Sequence, residues 1–250
     1  MAAGPVIETE NLTKVYGRQT AVDRLSLRVG AGEIFGFLGP NGAGKTTTLL
    51  MLLGLTQPTG GRVRVLGFDP ARDPIQIKSR VGYLQENMGF YADLDARQML
   101  RFVAELNGII GAPAEARIAA ALEAVGLAEE HGKKIAAFSR GMRQRLGIAE
   151  LLIKDAKVAF LDEPTLGLDP DATIRIMEMI TDLCRDRGMT IVLSSHQLNQ
   201  VQKICHRVGI MIKGRMVAQG PMEQLARDKF GVGPEEYTLE EIYMKYFMET

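Results

Sequence analysis

The sequence is short of cysteine and shows no excess of either charge. Its two cysteines, Cys184 and Cys205, lack the paired CxxC spacing of a zinc site and are too few for a disulfide framework, which indicates a reducing compartment. Thirty basic residues balance thirty acidic residues. This balance excludes the strongly cationic surface of a dedicated nucleic-acid-binding protein, so we expect no nucleic acid partner.

Long apolar runs are also missing. No stretch approaches the roughly 20 apolar residues that span a bilayer, and acidic residues rather than a signal-peptide core follow the N-terminus. We therefore expect a cytosolic chain that reaches a membrane only through a partner. The sequence contains neither an internal repeat nor a low-complexity segment.

What remains is the composition of an ordinary globular protein. With 250 residues, 46% hydrophobic and 24% charged, the chain suits one large domain, or a main domain with a smaller lobe. Apolar and polar residues alternate from Val6 to Leu12 and again around Leu27, which predicts antiparallel strands. The buried-type runs Ile34–Leu38, Val158–Leu161 and Thr190–Ser194 predict central parallel strands, so the core is α/β.

The region from about residue 91 to 152 is rich in alanine and leucine and predicts helices. Asp95 is a candidate N-cap with Gln98 as its capping-box partner, and Pro113 and Gly126 are start and stop signals for a second helix. This pattern predicts a helical lobe inserted into the α/β core.

The C-terminal part predicts a hairpin followed by two short helices. Apolar runs flank Lys213-Gly214 between Gly209 and Gly220, as in a hairpin, and Thr238 with Glu241 forms a second capping box. The last helix has an apolar stripe at helical spacing, formed by Leu239, Ile242, Tyr243, Tyr246 and Phe247.

The strongest chemical signal is G-x-x-x-x-G-K-[ST], which runs from Gly39 to Thr46. A predicted buried strand precedes it, and an apolar pattern rich in leucine predicts a helix over residues 46–55. Glycines allow backbone N–H groups to point at phosphate oxygens, and the helix dipole acts on the same anion. Lys45 would contact the β- and γ-phosphates, and the Thr46 hydroxyl would bind Mg²⁺. The candidate nucleotide ligands are Gly39, Asn41, Gly42, Gly44, Lys45, Thr46 and Thr47.

Two carboxylates end the predicted strand at residues 158–161. The carboxyl end of a central parallel strand opens on the ligand crevice of such sheets. Asp162 is therefore a candidate Mg²⁺ ligand, and Glu163 is a candidate catalytic base that polarises the attacking water.

At this point the sequence resembles the nucleotide-binding subunit of ATP-binding cassette (ABC) transporters, over about residues 6–220. The segment from Phe138 to Arg145 resembles the family's signature motif, in which Ser139 and Gly141 would contact the nucleotide held by the opposite subunit. The commonest form of the motif is LSGGQ, and here Arg140 replaces a glycine and Met142 replaces the glutamine. Arg140 either adds a positive charge near the phosphate or faces solvent.

Four further positions match the family in sequence order. Gln85 resembles the glutamine that senses Mg²⁺ and the attacking water, and His196 resembles the switch histidine that contacts the γ-phosphate. Tyr16 resembles the aromatic residue on which adenine stacks, or else packs on a strand face. Asp169 lies in a segment, residues 166–170, that resembles the D-loop at the dimer interface.

The resemblance implies a P-loop ATPase fold with a mixed central sheet, an N-terminal antiparallel sheet and a helical subdomain at about residues 88–152. It divides the chain into an ATPase domain, residues 1–220, and a C-terminal extension, residues 221–250. It implies ATP and Mg²⁺ as cofactors and a homodimer. The variant signature implies an ABC-2-type permease as partner, export as the direction and a location on the cytoplasmic face of the membrane.

Several alternatives remain open at the sequence level. The chain is an export ATPase, a soluble ABC ATPase without a transport role, or a nucleotide-sensing regulatory module. Met88, Phe90 and Tyr91 either form an exposed surface for the permease or are buried in the lobe. The last helix packs on its own domain, pairs two copies or contacts the partner.

Overall fold

The computed structural model describes residues 4–230 and 238–248. In these residues the strands are β1 (Ile7–Tyr16), β2 (Gln19–Val29), β3 (Ile34–Leu38), β4 (Gly60–Val65), β5 (Val81–Leu84), β6 (Val158–Asp162), β7 (Thr190–Ser195), β8 (Arg207–Ile212) and β9 (Arg215–Gly220). The helices are α1 (Lys45–Leu52), α2 (Pro74–Lys78), α3 (Ala96–Leu106), α4 (Ala112–Ala124), α5 (Arg140–Lys154), α6 (Pro170–Arg187), α7 (Leu198–Ile204), α8 (Met222–Phe230) and α9 (Leu239–Met248).

The N-terminal sheet is antiparallel, in the order β2-β1-β4. Ile7 pairs with Val29 on one side and with Val65 on the other, and all three are fully buried. The alternation seen in the sequence arises because one face of this sheet packs on the core while the other faces solvent.

The second sheet has the order β5-β6-β7-β3-β8-β9 in the described part of the chain. Neighbouring strands are parallel except β9, which pairs antiparallel with β8 at the edge. Every residue of β3, β6 and β7 is buried, as expected for strands covered on both faces. The carboxyl ends of β3, β5, β6 and β7 meet at one edge, where the phosphate loop follows β3.

The lobe between β5 and β6 is built from α3, α4 and α5, which pack on one another. Asp95 accepts a hydrogen bond from Gln98 N, and the Gln98 side chain accepts one from Asp95 N, so the predicted capping box is present. The predicted α/β class, with its mixed sheet, N-terminal antiparallel sheet and inserted helical lobe, is confirmed. The domain boundaries near residues 88, 152 and 220 stay predictions.

Helix α1 is shorter than its apolar pattern suggests. The sequence predicts a helix to Leu55, but α1 ends at Leu52, and Gly54 adopts a left-handed conformation with φ of 68°. Leu55 is 51% exposed. The apolar pattern did not reveal this end because the leucines run on past the last helical turn.

The C-terminal elements match their prediction. Lys213 and Gly214 both have positive φ between β8 and β9, as in a two-residue hairpin turn, and Thr238 and Glu241 form the second capping box. Leu239 is fully buried and its N–H donates to Gln202 Oε1 at 3.1 Å. Helix α9 therefore packs on its own domain, against α7 and α8. None of the helices in the described residues is both long and apolar enough to cross a membrane.

Candidate functional site

The phosphate loop, residues 39–46, leads from β3 directly into α1. Gly44 takes a left-handed conformation, with φ of 103°, and a Cβ there would collide with the carbonyl oxygen of Ala21. Glycine is therefore required on both conformational and steric grounds. The turn places the N-terminus of α1, with its free N–H groups, at the mouth of the cleft.

Lys45 is folded back over the loop that precedes it. Its Nζ donates to Gly39 O at 2.6 Å and to Pro40 O at 3.3 Å, and the residue is 6% exposed. Nζ also lies 3.7 Å from Glu163 Oε1. Burial lowers the pKa of Lys45 below its usual value, while the negative charges of Glu163 and Asp162 act in the opposite direction.

Asp162 ends β6 as a buried carboxylate that two neighbouring elements hold in place. Its Oδ1 accepts hydrogen bonds from the Ser194 hydroxyl of β7 and, at 3.1 Å, from the Thr46 hydroxyl of α1. Tyr83 of β5 is also close. Burial and then the Asp162 carboxylate raise the pKa of Tyr83 to about 12, with a smaller contribution from Glu86.

Glu163 sits in a left-handed conformation, with φ of 48°. Its backbone N–H donates to both the carbonyl and hydroxyl oxygens of Ser194, at 3.1 Å each. Its Oε2 lies 2.9 Å from His196 Nδ1 and accepts a longer bond of 3.4 Å from His196 N. The other oxygen, Oε1, is buried and accepts no hydrogen bond, which leaves it available to a ligand or a water.

These oxygen donors fit a small divalent cation. A hydroxyl (Thr46) and a carboxylate (Asp162) are already in contact, and Glu163 Oε1 is an unsatisfied acceptor beside them. Mg²⁺ binds through one or two carboxylates together with phosphate oxygens rather than in an all-protein cage. No group of three or more His, Cys, Asp or Glu residues within residues 4–230 and 238–248 is arranged to hold a metal.

The cleft above this network has a volume of about 390 Å³. We call it the phosphate cleft, and it is lined by Tyr16, Gln19, Ala21, Pro40, Asn41, Gly42, Ala43, Gly44, Lys45, Thr46, Thr47, Glu86 and Glu163. Tyr16 stands at its rim, 49% exposed, with Lys14 Nζ 4.7 Å from its ring centroid. Gln85 is exposed and does not line the cleft, whereas its neighbour Glu86 does.

A second cavity, of about 310 Å³, lies between the N-termini of α5 and α6. We call it the signature cavity, and its lining includes Ser139, Gly141 and Asp169 but no residue of the phosphate cleft. Ser139 Oγ caps α5 by accepting from Met142 N at 3.2 Å, and Asp169 Oδ1 caps α6 by accepting from Ala172 N at 2.8 Å.

Arg140 turns towards the loop before α6. A Cβ built on Gly167 would lie 3.1 Å from Arg140 Nη1 and 3.3 Å from its Cζ, so the guanidinium covers the face of this glycine. Arg140 is exposed in the single chain. The structure thus adds a contact that neither sequence alternative included.

Sequence reasoning missed two residues of the site. Ser194 links Asp162 and Glu163, and Glu86 lines the phosphate cleft. A serine within an apolar strand does not by itself indicate a functional site. Glu86 was missed because the adjacent Gln85 resembles the glutamine of the family.

Comparison with known proteins gives a consistent result. A family described as ABC transporter matches residues 22–166. The bacitracin transport ATP-binding protein BcrA of Bacillus licheniformis is 42% identical over 222 residues, which cover 89% of this chain and 72% of that protein. The linearmycin resistance ATP-binding protein LnrL of Bacillus subtilis is 36% identical over 220 residues, covering 88% and 70%.

A solved structure described as the ATP-binding subunit of an ABC transporter superposes with a TM-score of 0.86 at 29% identity. The match covers 97% of this chain and 99% of that chain. The likeness therefore extends beyond the residues matched by the family to nearly the entire length of the chain.

Proposed function

This chain belongs to the ABC transporter family as an ATP-binding, ATP-hydrolysing subunit, and from that premise we propose that it powers export through a separate ABC-2-type permease. The observation that carries the catalytic part is the environment of Glu163: one oxygen is held by His196, and the other is buried without a hydrogen-bond donor. The names of the relatives, which concern bacitracin transport and linearmycin resistance, support the export of a compound from the cell.

Glu163 acts as the general base in this proposal. Its Oε1 accepts a proton from a water as the water oxygen bonds to the γ-phosphorus, and the bond from that phosphorus to the β–γ bridging oxygen breaks. The products are ADP and inorganic phosphate. His196, on Oε2, keeps the carboxylate aimed at the water and contacts the γ-phosphate.

The phosphate loop supplies the electrostatic part of catalysis. Backbone N–H groups at the start of α1 bind the phosphates, and Lys45 exchanges its bonds to Gly39 and Pro40 for bonds to the β- and γ-phosphates. Thr46 and Asp162 would hold Mg²⁺, which neutralises charge developing on the phosphates. Gln85 stays a predicted contact to this ion. Tyr16, at the rim, stacks on the adenine.

The signature cavity is the half of the site that acts on a second copy of the chain. Ser139 and Gly141 are exposed or half-buried at the N-terminus of α5, where anions are favoured, yet they line a cavity separate from the phosphate cleft. In a head-to-tail homodimer the cavity of one subunit faces the phosphate cleft of the other. ATP closes this dimer, and hydrolysis reopens it.

The permease docks on the helical lobe. Met88 and Phe90 pack against the lobe's core, but Tyr91 is 57% exposed and contacts Phe102 edge-to-face at 5.4 Å. Leu106, one turn further along α3, is 70% exposed. This apolar surface fits a helix presented by a membrane protein at the cytoplasmic face. The proposal keeps residues 1–220 as the ATPase domain, 88–152 as its helical lobe and 221–250 as an extension.

Three measurements test the proposal. Purified protein should release phosphate from ATP at steady state, a Glu163→Gln variant should hold ATP in a stable dimer, and a membrane protein should copurify from cells. A soluble ABC ATPase without a transport role would hydrolyse ATP but copurify with no membrane protein. A nucleotide sensor would bind ATP without releasing phosphate. Hydrolysis by Glu163→Gln at the parent rate would remove Glu163 as the base.

A further inference from the structure

The turn that follows β6 contains a buried hydroxyl group, that of Thr165, two residues after Glu163. Thr165 is 3% exposed, and its Oγ1 donates to Gln200 Oε1 of α7 at 2.6 Å. Within the turn, Leu166 N donates to Glu163 O at 3.1 Å, so Thr165 and Glu163 belong to one hydrogen-bonded unit. Gln200 therefore holds the same short turn that carries Glu163.

Gln200 also stands close in the chain to His196, the partner of Glu163. Helix α7 begins two residues after His196, and Gln200 N donates to Gln197 O at 3.2 Å in its first turn. The segment that carries His196 and Gln200 thus meets the turn after β6 twice. His196 Nδ1 lies 2.9 Å from Glu163 Oε2, and Gln200 binds Thr165.

Together these contacts form a closed ring. It runs along the chain from Glu163 to Thr165, across a hydrogen bond to Gln200, back along the chain to His196 and across a second hydrogen bond to Glu163. A single bond between two segments leaves the angle between them free, whereas a second bond further along both segments fixes that angle. The bond between Thr165 and Gln200 therefore fixes how the Glu163 carboxylate meets His196.

Glu163 needs this support because its backbone conformation is unfavourable. Its φ of 48° lies in the left-handed region, which residues with a side chain rarely adopt. Such a conformation persists only where the surroundings hold it from more than one side. Ser194 holds the N–H of Glu163, and Thr165, held by Gln200, anchors the chain on the carboxyl side. Loss of the second anchor would let Glu163 relax and turn its free Oε1 out of place.

We propose that Gln200 is a positioning residue for hydrolysis, which acts through Thr165 to keep the Glu163 carboxylate aimed at the attacking water. The inference rests on the proposed function, in which Glu163 is the general base, and deepens it. Gln200 lines a groove between α6 and α7 and does not line the phosphate cleft. Its effect should therefore appear in the rate of the chemical step and not in the affinity for ATP.

Helix α7 offers a matched control in Gln202. The Oε1 of Gln202 accepts a hydrogen bond at 3.1 Å from Leu239 N, so this side chain holds α9 rather than the turn of Glu163. Gln200→Met and Gln202→Met make the same chemical change on one helix, and each removes one hydrogen bond. Thr165→Val removes the other partner of the proposed bond with little change of shape, whereas Gln200→Glu keeps an acceptor oxygen.

Steady-state phosphate release gives kcat and KM, and equilibrium binding of a non-hydrolysable ATP analogue gives the affinity. Gln200→Met should lower kcat by about 10- to 100-fold, up to the scale of a 1 Å misplacement of a reacting group. Its analogue affinity should stay within about twofold of the parent value, as should the kcat of Gln202→Met. Gln200→Glu should keep most of the parent kcat. A parent-like kcat in Gln200→Met, or an equal loss in Gln202→Met, overturns the inference.

Two combined variants distinguish positioning from a general loosening of the fold. Thr165→Val/Gln200→Met should have the kcat of either single variant, because both changes remove the same bond, and additive losses would contradict the proposal. In a Glu163→Gln background, Gln200→Met should not lower the residual single-turnover rate further, because it acts through Glu163. A further decrease there would also contradict the proposal.

Thermal unfolding of each variant measures the loss of stability separately from the loss of rate. If Gln200→Met does not fold, Thr165→Ser and Thr165→Val provide the comparison. The first keeps the hydroxyl and should keep kcat, and the second should lose it, so equal values overturn the inference.

Failure of the proposed function gives a different result. If Glu163→Gln releases phosphate at the parent rate, Glu163 is not the base, and the proposed mechanism is wrong together with this inference. If Glu163→Gln is impaired and Gln200→Met behaves like the parent, only the inference is wrong.

Discussion

The phosphate cleft and the signature cavity differ in how far a single chain completes them. In the cleft, Asp162 and Glu163 are buried, and hydrogen bonds from Thr46, Ser194 and His196 fix them in place. Around the signature cavity, Arg140 and Ser139 are exposed. The contrast teaches that one subunit can preorganise the carboxylates of its cleft by hydrogen bonds within the chain. Under the proposed function, the signature cavity acts only when a second copy brings its phosphate cleft to it.

The charges make the same distinction. Arg140, Arg145 and Arg175 line the signature cavity. Arg145 donates to the carbonyl oxygens of Val125 and Gly126. Burial, followed by the neighbouring charge of Arg175, lowers the pKa of Arg145. Asp169 and Asp171 also line the cavity, so it has a small excess of positive charge, whereas the cleft, lined by Lys45, Glu86 and Glu163, has a small excess of negative charge.

The largest expected effect concerns the cleft. Glu163→Gln should lower the steady-state rate of phosphate release by about 10²–10⁴-fold, because the amide cannot accept the proton from water. ATP affinity should remain. Glu178→Gln makes the same chemical change at an exposed position of α6 and should leave the rate unaltered. If the two variants release phosphate at equal rates, Glu163 is not the general base, and the phosphate cleft does not differ from the signature cavity in the way described above.

Substitution of Lys45 tests whether Lys45 and Glu163 contribute independently to the free energy of unfolding. Lys45→Met should abolish tight ATP binding and destabilise the protein, by up to about 3 kcal/mol, because Glu163 keeps its buried charge but loses its cation. The double variant Lys45→Met/Glu163→Gln should recover part of this free energy of unfolding. Chemical denaturation measures both, and simple additivity of the two changes would show that the residues act independently.

Ser139 tests the other half of the comparison. Ser139→Ala should cost about 1 kcal/mol through loss of the α5 cap, should slow hydrolysis, and should leave ATP affinity of the isolated subunit unchanged. Thr238→Ala removes the cap of α9 and serves as the matched control, with a similar loss of stability and normal hydrolysis. If Ser139→Ala weakens ATP binding by dilute, monomeric protein, the cavity and the cleft are one site within a chain.

The smallest effect concerns Glu150, a carboxylate that lacks the partners of Glu163. It lies in a groove between β5 and α5, where burial raises its pKa to about 7 and Lys154 counteracts that shift only in part. Its protonated form therefore stabilises the folded state, an effect present below the unfolded pKa and lost as the pH rises through 7. Glu150→Gln should raise the free energy of unfolding at pH 8 by about 1 kcal/mol and have little effect at pH 4.

Denaturation curves at pH 4 and pH 8 check this last prediction. The same shift at both values would mean that the substitution acts through packing rather than through the proton. Glu123→Gln, on the exposed side of α4, provides the reference for loss of one negative charge.

Local patterns in the sequence predicted much of the fold. The capping boxes at Asp95 and Thr238 and the turn at Lys213-Gly214 depend on contacts over a few residues, so a short segment is enough to predict them. The end of α1 was less predictable. The helix ends at Leu52 because the chain turns at Gly54, which has a left-handed conformation, although leucines continue the apolar pattern.

By itself, the sequence determined the class of chemistry, because a phosphate loop from Gly39 to Thr46 and an acidic pair after a buried strand each express their chemistry over a few residues. The tertiary structure alone decided which distant groups meet. Thr46 reaches Asp162 and Glu163 reaches His196 because β3 and β6 both lie beside β7 in the sheet. It also decided that Glu86 enters the cleft while Gln85 faces solvent, since a side chain's direction depends on the path of the whole loop and not on residue type.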